Sequence, residues 1–182
     1  MRTAVVILAD GFEEIEAVTP IDVLRRAGVD VTTVGLTAPT VTGAHGIEIA
    51  VDRALDALAV EPDLVVLPGG LPGATNLGAS QAVVDLLRRQ HAAGRMIAAI
   101  CAAPAFAPLE AGILDGRRAT CYPSFESRFP KTVTAVDDRV VIDGNLVTSR
   151  GPGTALDMAL TLVELLVGAA EATKLRAGML AE

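Results

Sequence analysis

Two residues stand out as capable of chemistry, a cysteine and a carboxylate that the sequence pattern puts in unusual places. Cys101 lies in AAICAAP (98–104), where an apolar strand-like run, Met96–Ile100, gives way to a helix-like one. Free cysteine often packs as a small hydrophobe, so an inert core thiol is one reading. A sharp strand-to-helix turn supports another: it exposes the side chain above the sheet and aims the following backbone N–H groups at it. The helix that follows adds positive potential, which lowers a thiol's pKa. Pro104 suits the first turn of that helix, where no intrahelical N–H is required. The other cysteine, Cys121, reads as a strand residue in RATCY (118–122), facing away from its neighbour Tyr122. Packing explains it better than a role as a resolving thiol.

On a helical wheel for 14–27, Glu14, Asp22, Arg25 and Arg26 gather on one arc, an ordinary solvated face. Glu16 falls elsewhere, among Pro20, Val23, Leu24 and Ala27. An ionised carboxylate on an apolar face is costly unless it is paired or protonated. If Glu16 meets Cys101, a thiolate and a carboxylate repel, so one of them must hold a proton. A protonated Glu16 donating to the sulfur activates the thiolate, and the same proton then serves as a general acid. In PGGLPG (68–73), Gly70 is a candidate to supply an oxyanion N–H together with Ala102.

Other chemistries fit poorly. Both histidines, His45 and His91, precede Cys101, so a Cys-His triad with a third orienting group is not expected. His91 reads as a surface residue closing a helix, and His45, in TGAHGIE, as an exposed loop residue able to approach the site. The chain has no CxxC, no HxxxH and no clustered ligands in sequence, so no metal is expected. PGGLPG lacks the dinucleotide fingerprint, and GPGT (151–154) lacks a phosphate-binding lysine, so no cofactor is expected.

The elements that must position these residues alternate. Strand-like runs are 4–9, 30–36, 64–68, 96–100 and 118–122, with a hairpin-like pair joined through Gly144. Helix-like runs are 14–27, 80–93, 103–111 and 154–167, with a tail helix near 171–180 and a short β excursion at 37–53. Ser80 and Thr154 are N-cap candidates, and Gly28, Gly94, Gly112 and Gly168 are stops. The alternation predicts a doubly wound α/β sandwich, whose ligands bind outside the carboxyl ends of the strands. ADGFEE, LPGGLPGA and CAAP all fall at such ends.

With 182 residues, 51% of them hydrophobic but only 3% aromatic, the chain suits one domain, 1–182, with a core of Val, Leu, Ile and Ala. A net charge of −7 argues against nucleic acid or an anionic membrane as partner. Two cysteines are too few for a disulfide scaffold, and RTAVVILAD reads as a first strand, not a signal peptide. A soluble, cytoplasmic protein is expected.

Four stretches, ADGFEEIEAVTPIDVLRRAG, VVLPGGLPGATNL, IAAICAAP and TSRGPGTALDMAL, together resemble the ThiJ/PfpI superfamily in its DJ-1 (Parkinson-disease-protein) and ThiJ branch. The resemblance runs from the first strand to the last long helix. It implies a flavodoxin-like three-layer sandwich with a mostly parallel sheet, usually a homodimer. It also implies Cys101 as nucleophile, Glu16 as the carboxyl bonded to it, and Gly70 and Ala102 as backbone donors. Gly69, Tyr122, Arg26 and His45 are pocket candidates, while Arg150 and Pro152 match positions near the site mouth or a dimer contact. The family's activities include cofactor-independent glyoxalase, deglycase activity on methylglyoxal adducts, oxidation sensing through a cysteine sulfinate, and chaperone-like protection. The protease branch carries His directly after the nucleophile, where this chain has Ala102, so proteolysis is not expected. Several glyoxalase members carry His before the proline matching Pro123. Here that residue is Tyr122, a poor proton shuttle near neutral pH. The expectation is an enzyme of modest rate on a small carbonyl substrate such as methylglyoxal, yielding lactate, with a Cys101-based oxidation sensor as the alternative.

Overall fold

Valine- and leucine-rich runs without polar alternation collect into one sheet covered on both faces. The computed structural model describes residues 1–37, 39–58 and 61–181. In chain order its elements are β1 (Thr3–Leu8), α1 (Glu14–Arg26), β2 (Asp30–Gly35), β3 (Thr40–Thr42), β4 (Glu48–Ala50), β5 (Arg53–Ala54) and β6 (Leu64–Leu67). Then come α2 (Gly73–Ala79), α3 (Gln81–Ala92), β7 (Met96–Ile100), α4 (Ala107–Glu110), β8 (Arg118–Ala119) and β9 (Thr134–Ala135). The chain closes with β10 (Val140–Asp143), β11 (Leu146–Ser149), α5 (Ala155–Leu166) and α6 (Ala169–Gly178).

Seven strands form the main sheet in the order β10-β11-β7-β6-β1-β2-β5. Neighbours run parallel throughout except at the β10–β11 hairpin. All of Leu64–Leu67 and 97–100 are buried, so both faces of the central strands are covered. α1 packs on α5 and α5 on α6, while α2, α3 and α4 pack together, giving the two helical layers. This is the flavodoxin-like sandwich that the alternation and the resemblance led one to expect. Among the described residues, no helix is long and apolar enough to cross a membrane.

Several local expectations need correction. The run 103–111 is not one helix: a short 3-10 turn, Ala103–Ala105, is separated from α4 by Phe106, whose φ of −125° and ψ of −98° break the helical path. α2 was not anticipated; GATNLGA carries two glycines and no amphipathic stripe. RATCY gives only the two-residue β8, paired with β9 outside the main sheet. Its ladder stops because the Thr120 N–H donates to the Thr148 hydroxyl instead, at 3.0 Å. Ser80 caps α3 through the Val83 N–H, whereas Thr154 makes no side-chain cap to α5. Its hydroxyl instead bonds Ser149 Oγ at 2.6 Å and accepts the Gly151 N–H at 3.1 Å. The excursion at 37–53 comprises the β3–β4 hairpin and β5; its residue 38 lies outside the described residues.

Candidate active site

Four parallel strands, β1, β6, β7 and β11, end on the same edge of the sheet, and the segments leaving them converge. The chain passes from β1 out to β2 and then back to β6 on the other side, so the order reverses at the β1–β6 boundary. Such a reversal opens a crevice at the strand ends.

Cys101 is the first residue beyond β7 and has φ +63°, a left-handed conformation rare outside glycine. Holding a non-glycine residue there costs on the order of 1–3 kcal/mol. Two hydrogen bonds hold it: the Cys101 N–H donates to the Ser149 carbonyl at 2.9 Å, and the Cys101 carbonyl accepts from the Tyr122 N–H at 2.8 Å. The side chain is buried at 8% exposure, and the neighbouring Gly70 and Ala102 N–H groups favour negative charge on its sulfur. Both expected backbone donors therefore border the thiol.

Glu16, in the first turns of α1, has no solvent exposure at all. Its Oε2 accepts the Gly69 N–H at 2.8 Å. Its Oε1 is buried without a hydrogen-bond partner, and the Cys101 side chain lies against the carboxyl. Gly69 allows this approach: a Cβ there would stand 2.6 Å from Cys101 Cβ, 2.7 Å from Glu16 Oε2 and 2.9 Å from the Ile100 carbonyl. Gly70 has φ +83°, and a Cβ there would stand 2.4 Å from the Glu13 nitrogen. Glu13 closes the arrangement from the other side. Its Oε2 caps α1 by accepting the Glu16 N–H at 2.8 Å, and its own N–H donates to the Gly69 carbonyl at 3.0 Å.

Burial first, and the Glu13 charge in addition, push the Glu16 carboxyl up to about 7 against the pull of Cys101 and the Gly69 N–H. Burial first, then the adjoining Glu16 carboxyl, push the Cys101 thiol up to about 12, against the Gly70 and Ala102 N–H groups. The two groups form one coupled pair that loses its protons in two well-separated steps, so it retains one proton at neutral pH and above. Two adjacent buried anions are avoided.

The outer candidates are distributed differently from the sequence reading. Arg26 is not brought to the site within one chain. Ten residues beyond Glu16, it lies about 15 Å along the helix, paired with Asp22 at 2.7 Å. Tyr122 is 46% exposed and borders a hollow of about 270 Å³ with Pro123, Arg139, Arg150, Gly151 and Pro152, its ring against Gly151. Cys121, beyond β8 and not in a strand, is buried on the wall of a separate cavity of about 470 Å³ with Glu126, Asp137 and Arg150. Glu14 is not on a solvated face. It is 6% exposed because the 43–47 turn folds over it. Its carboxylate accepts the His45 N–H and faces His45 Nδ1, each at 2.7 Å. The fold thus gathers charged groups that are remote in sequence, since oxygen or nitrogen atoms of Glu13, Glu14 and His45 lie within 4.8 Å of one another. Glu14 is already saturated by N–H donors there, an ion-pair arrangement. Sequence reasoning missed Ser149 as an anchor of the elbow and Glu13 as a cap. The signal for Glu13 was an acidic residue one position before an amphipathic helix.

Comparison with known proteins agrees with this fold. The model of the "DJ-1/PfpI family" matches residues 2–165. "Protein dj-1beta" of Drosophila melanogaster is 44% identical over 182 residues, covering 98% of this chain and 97% of the relative. The crystal structure of Drosophila melanogaster DJ-1beta superposes with a TM-score of 0.96 over 100% of this chain and 98% of that one, at 43% identity. "Protein DJ-1 homolog B" of Arabidopsis thaliana is 44% identical over 92% of this chain, which spans only 39% of that longer protein. A Caenorhabditis elegans protein named "Glutathione-independent glyoxalase DJR-1.2" is 36% identical over 92% of this chain and 90% of its own length.

Proposed function

The chain belongs to the DJ-1/PfpI family, and from that premise we propose that it is a cofactor-independent, cysteine-dependent enzyme converting small 2-oxoaldehydes to hydroxy acids, methylglyoxal to lactate being the simplest case. The observation that carries this reading is the buried, unpartnered Glu16 Oε1 beside a thiol that two backbone N–H groups address. A carboxylate oxygen left there without a donor would be heavily penalised, whereas an acid can donate its proton to sulfur. The Gly70 and Ala102 donors favour negative charge on the sulfur. The shared proton therefore belongs on Glu16, leaving Cys101 as thiolate. The C. elegans relative named as a glyoxalase supports the same chemistry.

In the reaction the Cys101 thiolate attacks the aldehyde carbon, forming an S–C bond, while the Glu16 proton passes to the aldehyde oxygen to give a hemithioacetal. The Glu16 carboxylate then removes the hydrogen from that carbon. The electron pair forms the enediolate, whose oxygen the Gly70 and Ala102 N–H groups hold. Glu16 returns the proton to the neighbouring carbon, and the hemithioacetal O–H proton moves to the enediolate oxygen, leaving a 2-hydroxy thioester. Water displaces the thiolate, one water proton restores Glu16, and the other leaves with the hydroxy acid's ionisation. One carbon is oxidised as its neighbour is reduced, so no external oxidant enters.

A second reading draws on the same unpartnered Oε1. Cys101 is nearly buried but reachable by a small peroxide, and its sulfinate oxygens would accept from protonated Glu16 and the two amides. That would make the protein an oxidation sensor. Measuring lactate from methylglyoxal without added thiol, in wild type and Cys101→Ser, separates the two readings. We further propose a homodimer through α1, whose Ile15 and Val18 are 55% and 47% exposed, with Ile47 of the turn over Glu14 57% exposed. An apolar surface of this kind on an amphipathic helix calls for a partner.

A further inference from the structure

Glu16 is sealed from solvent, yet it sits at the start of α1 next to a group of charges that reaches the surface. Glu13 accepts the Glu16 N–H, and its charge acts on the Glu16 carboxyl. Beside it, Glu14 is almost as deeply buried and is clamped by His45 through both the backbone N–H and the ring Nδ1 at 2.7 Å. The Glu14 clamp is specific, since a Cβ on Gly43 would fall 2.3 Å from Glu14 Oε1. The turn carrying His45 is also pinned to the strand end preceding Glu16. Ala44 N–H donates to the Phe12 carbonyl at 2.8 Å and Gly11 N–H to the Thr42 carbonyl at 2.8 Å. The His45 side chain itself is 71% exposed.

Two buried carboxylates side by side would repel each other and any further negative charge in the neighbourhood. Among the groups facing His45 are Glu14, through hydrogen bond and charge, and Glu13 through charge, and both push its pKa above the ordinary value. Glu14 is the mirror case. Burial pushes it up, but the His45 and Ile47 donors outweigh this and hold it below the usual range. Glu16 is faced by Cys101 and Glu13.

We propose that His45 is a positioning residue for the Cys101 site: its imidazolium, fixed on Glu14, offsets the paired charges of Glu13 and Glu14 and thereby sets the pH at which the Glu16–Cys101 pair gives up its first proton. This rests on the reading of Glu16 and Cys101 as the reacting pair, and it assigns that pair a solvent-facing control. With His45 charged, the surroundings of Glu16 carry less net negative charge and the pair ionises at lower pH. Neutral His45 leaves both carboxylates uncompensated, and ionisation is delayed.

The test follows the ultraviolet absorbance of the Cys101 thiolate against pH, using Cys101→Ser as the blank, in wild type, His45→Gln and His45→Lys. It needs no substrate, so a protein without lactate-forming activity still gives an answer. His45→Gln keeps a hydrogen-bonding side chain without charge, and its thiolate midpoint should rise by about half a pH unit. His45→Lys keeps the charge, and its midpoint should stay at or below that of wild type. The His45→Gln displacement should shrink in high salt, because the imidazolium is exposed. A His45→Gln curve that superimposes on wild type, or a His45→Lys curve displaced upward with it, overturns the inference, the second outcome marking His45 as a purely structural clamp.

Discussion

Gly69→Ala tests whether the close approach of Glu16 and Cys101 is built into the backbone. Gly69 has no left-handed φ to defend, so the cost is steric. The new Cβ would meet Cys101 Cβ at 2.6 Å, Glu16 Oε2 at 2.7 Å and the Ile100 carbonyl at 2.9 Å. Two of these atoms belong to the end of β7 and its elbow, which cannot swing away. The third is the carboxyl oxygen that the Gly69 N–H holds. Overpacking of this kind costs about 1–3 kcal/mol. For a chain of this size each kcal/mol lowers Tm by about 2–4 °C, so the variant should melt roughly 2–12 °C below wild type. Calorimetry reads this directly, with Gly153→Ala as control, since a Cβ there meets nothing within 4 Å. The thiolate midpoint of Cys101 should shift in Gly69→Ala and stay unchanged in the control. Equal stability of the two variants, with an unchanged midpoint in Gly69→Ala, would refute the packing argument.

Other expectations follow from the same geometry. Because the folded Glu16–Cys101 pair gives up its first proton near 7 rather than at the ordinary carboxyl value of 4.5, the contribution of that proton to stability is complete below about 4.5 and is lost as pH rises through about 7. Glu16→Gln should therefore gain roughly 2–4 kcal/mol relative to wild type between pH 5 and pH 8, seen in denaturation midpoints at the two pH values; a constant difference contradicts the burial argument. Ser80→Ala removes a 3.4 Å cap on α3 and should cost about 0.5–1 kcal/mol in urea denaturation, while Thr154→Ala acts through Ser149 and the elbow and should disturb Cys101 as well. Val18→Asp should convert a dimer to monomer by light scattering; a wild type that is already monomeric removes that proposal.

The sequence was most legible where one period dominated. The valine-rich strands, the α1 stripe and the β10–β11 hairpin each follow a single pattern, and the sandwich follows from their order. The core of the site was legible for the same reason. Glu16 breaks an otherwise apolar arc, and Cys101 stands where the period changes. What escaped depends on contacts remote in sequence. Glu14 looked solvated because its helical position is outward, and only the 43–47 turn buries it. RATCY has strand-forming residues, yet the Thr148 hydroxyl and the Cys101 carbonyl accept its Thr120 and Tyr122 N–H groups, so the ladder ends after two residues. Phe106 breaks the predicted helix between two prolines, Pro104 and Pro108, each of which removes a backbone donor. Arg26 matched a motif position, but within one chain it ends a helix turns away from the thiol.

The most direct test of the central claim is lactate formation from methylglyoxal by the fully reduced protein, without added thiol or metal, as a function of pH. The account predicts a rate that rises through about pH 7 as the Glu16–Cys101 pair loses its first proton, vanishes in Cys101→Ser and falls sharply in Glu16→Gln. Wild type that forms no lactate, or Cys101→Ser that forms it as fast as wild type, would contradict it.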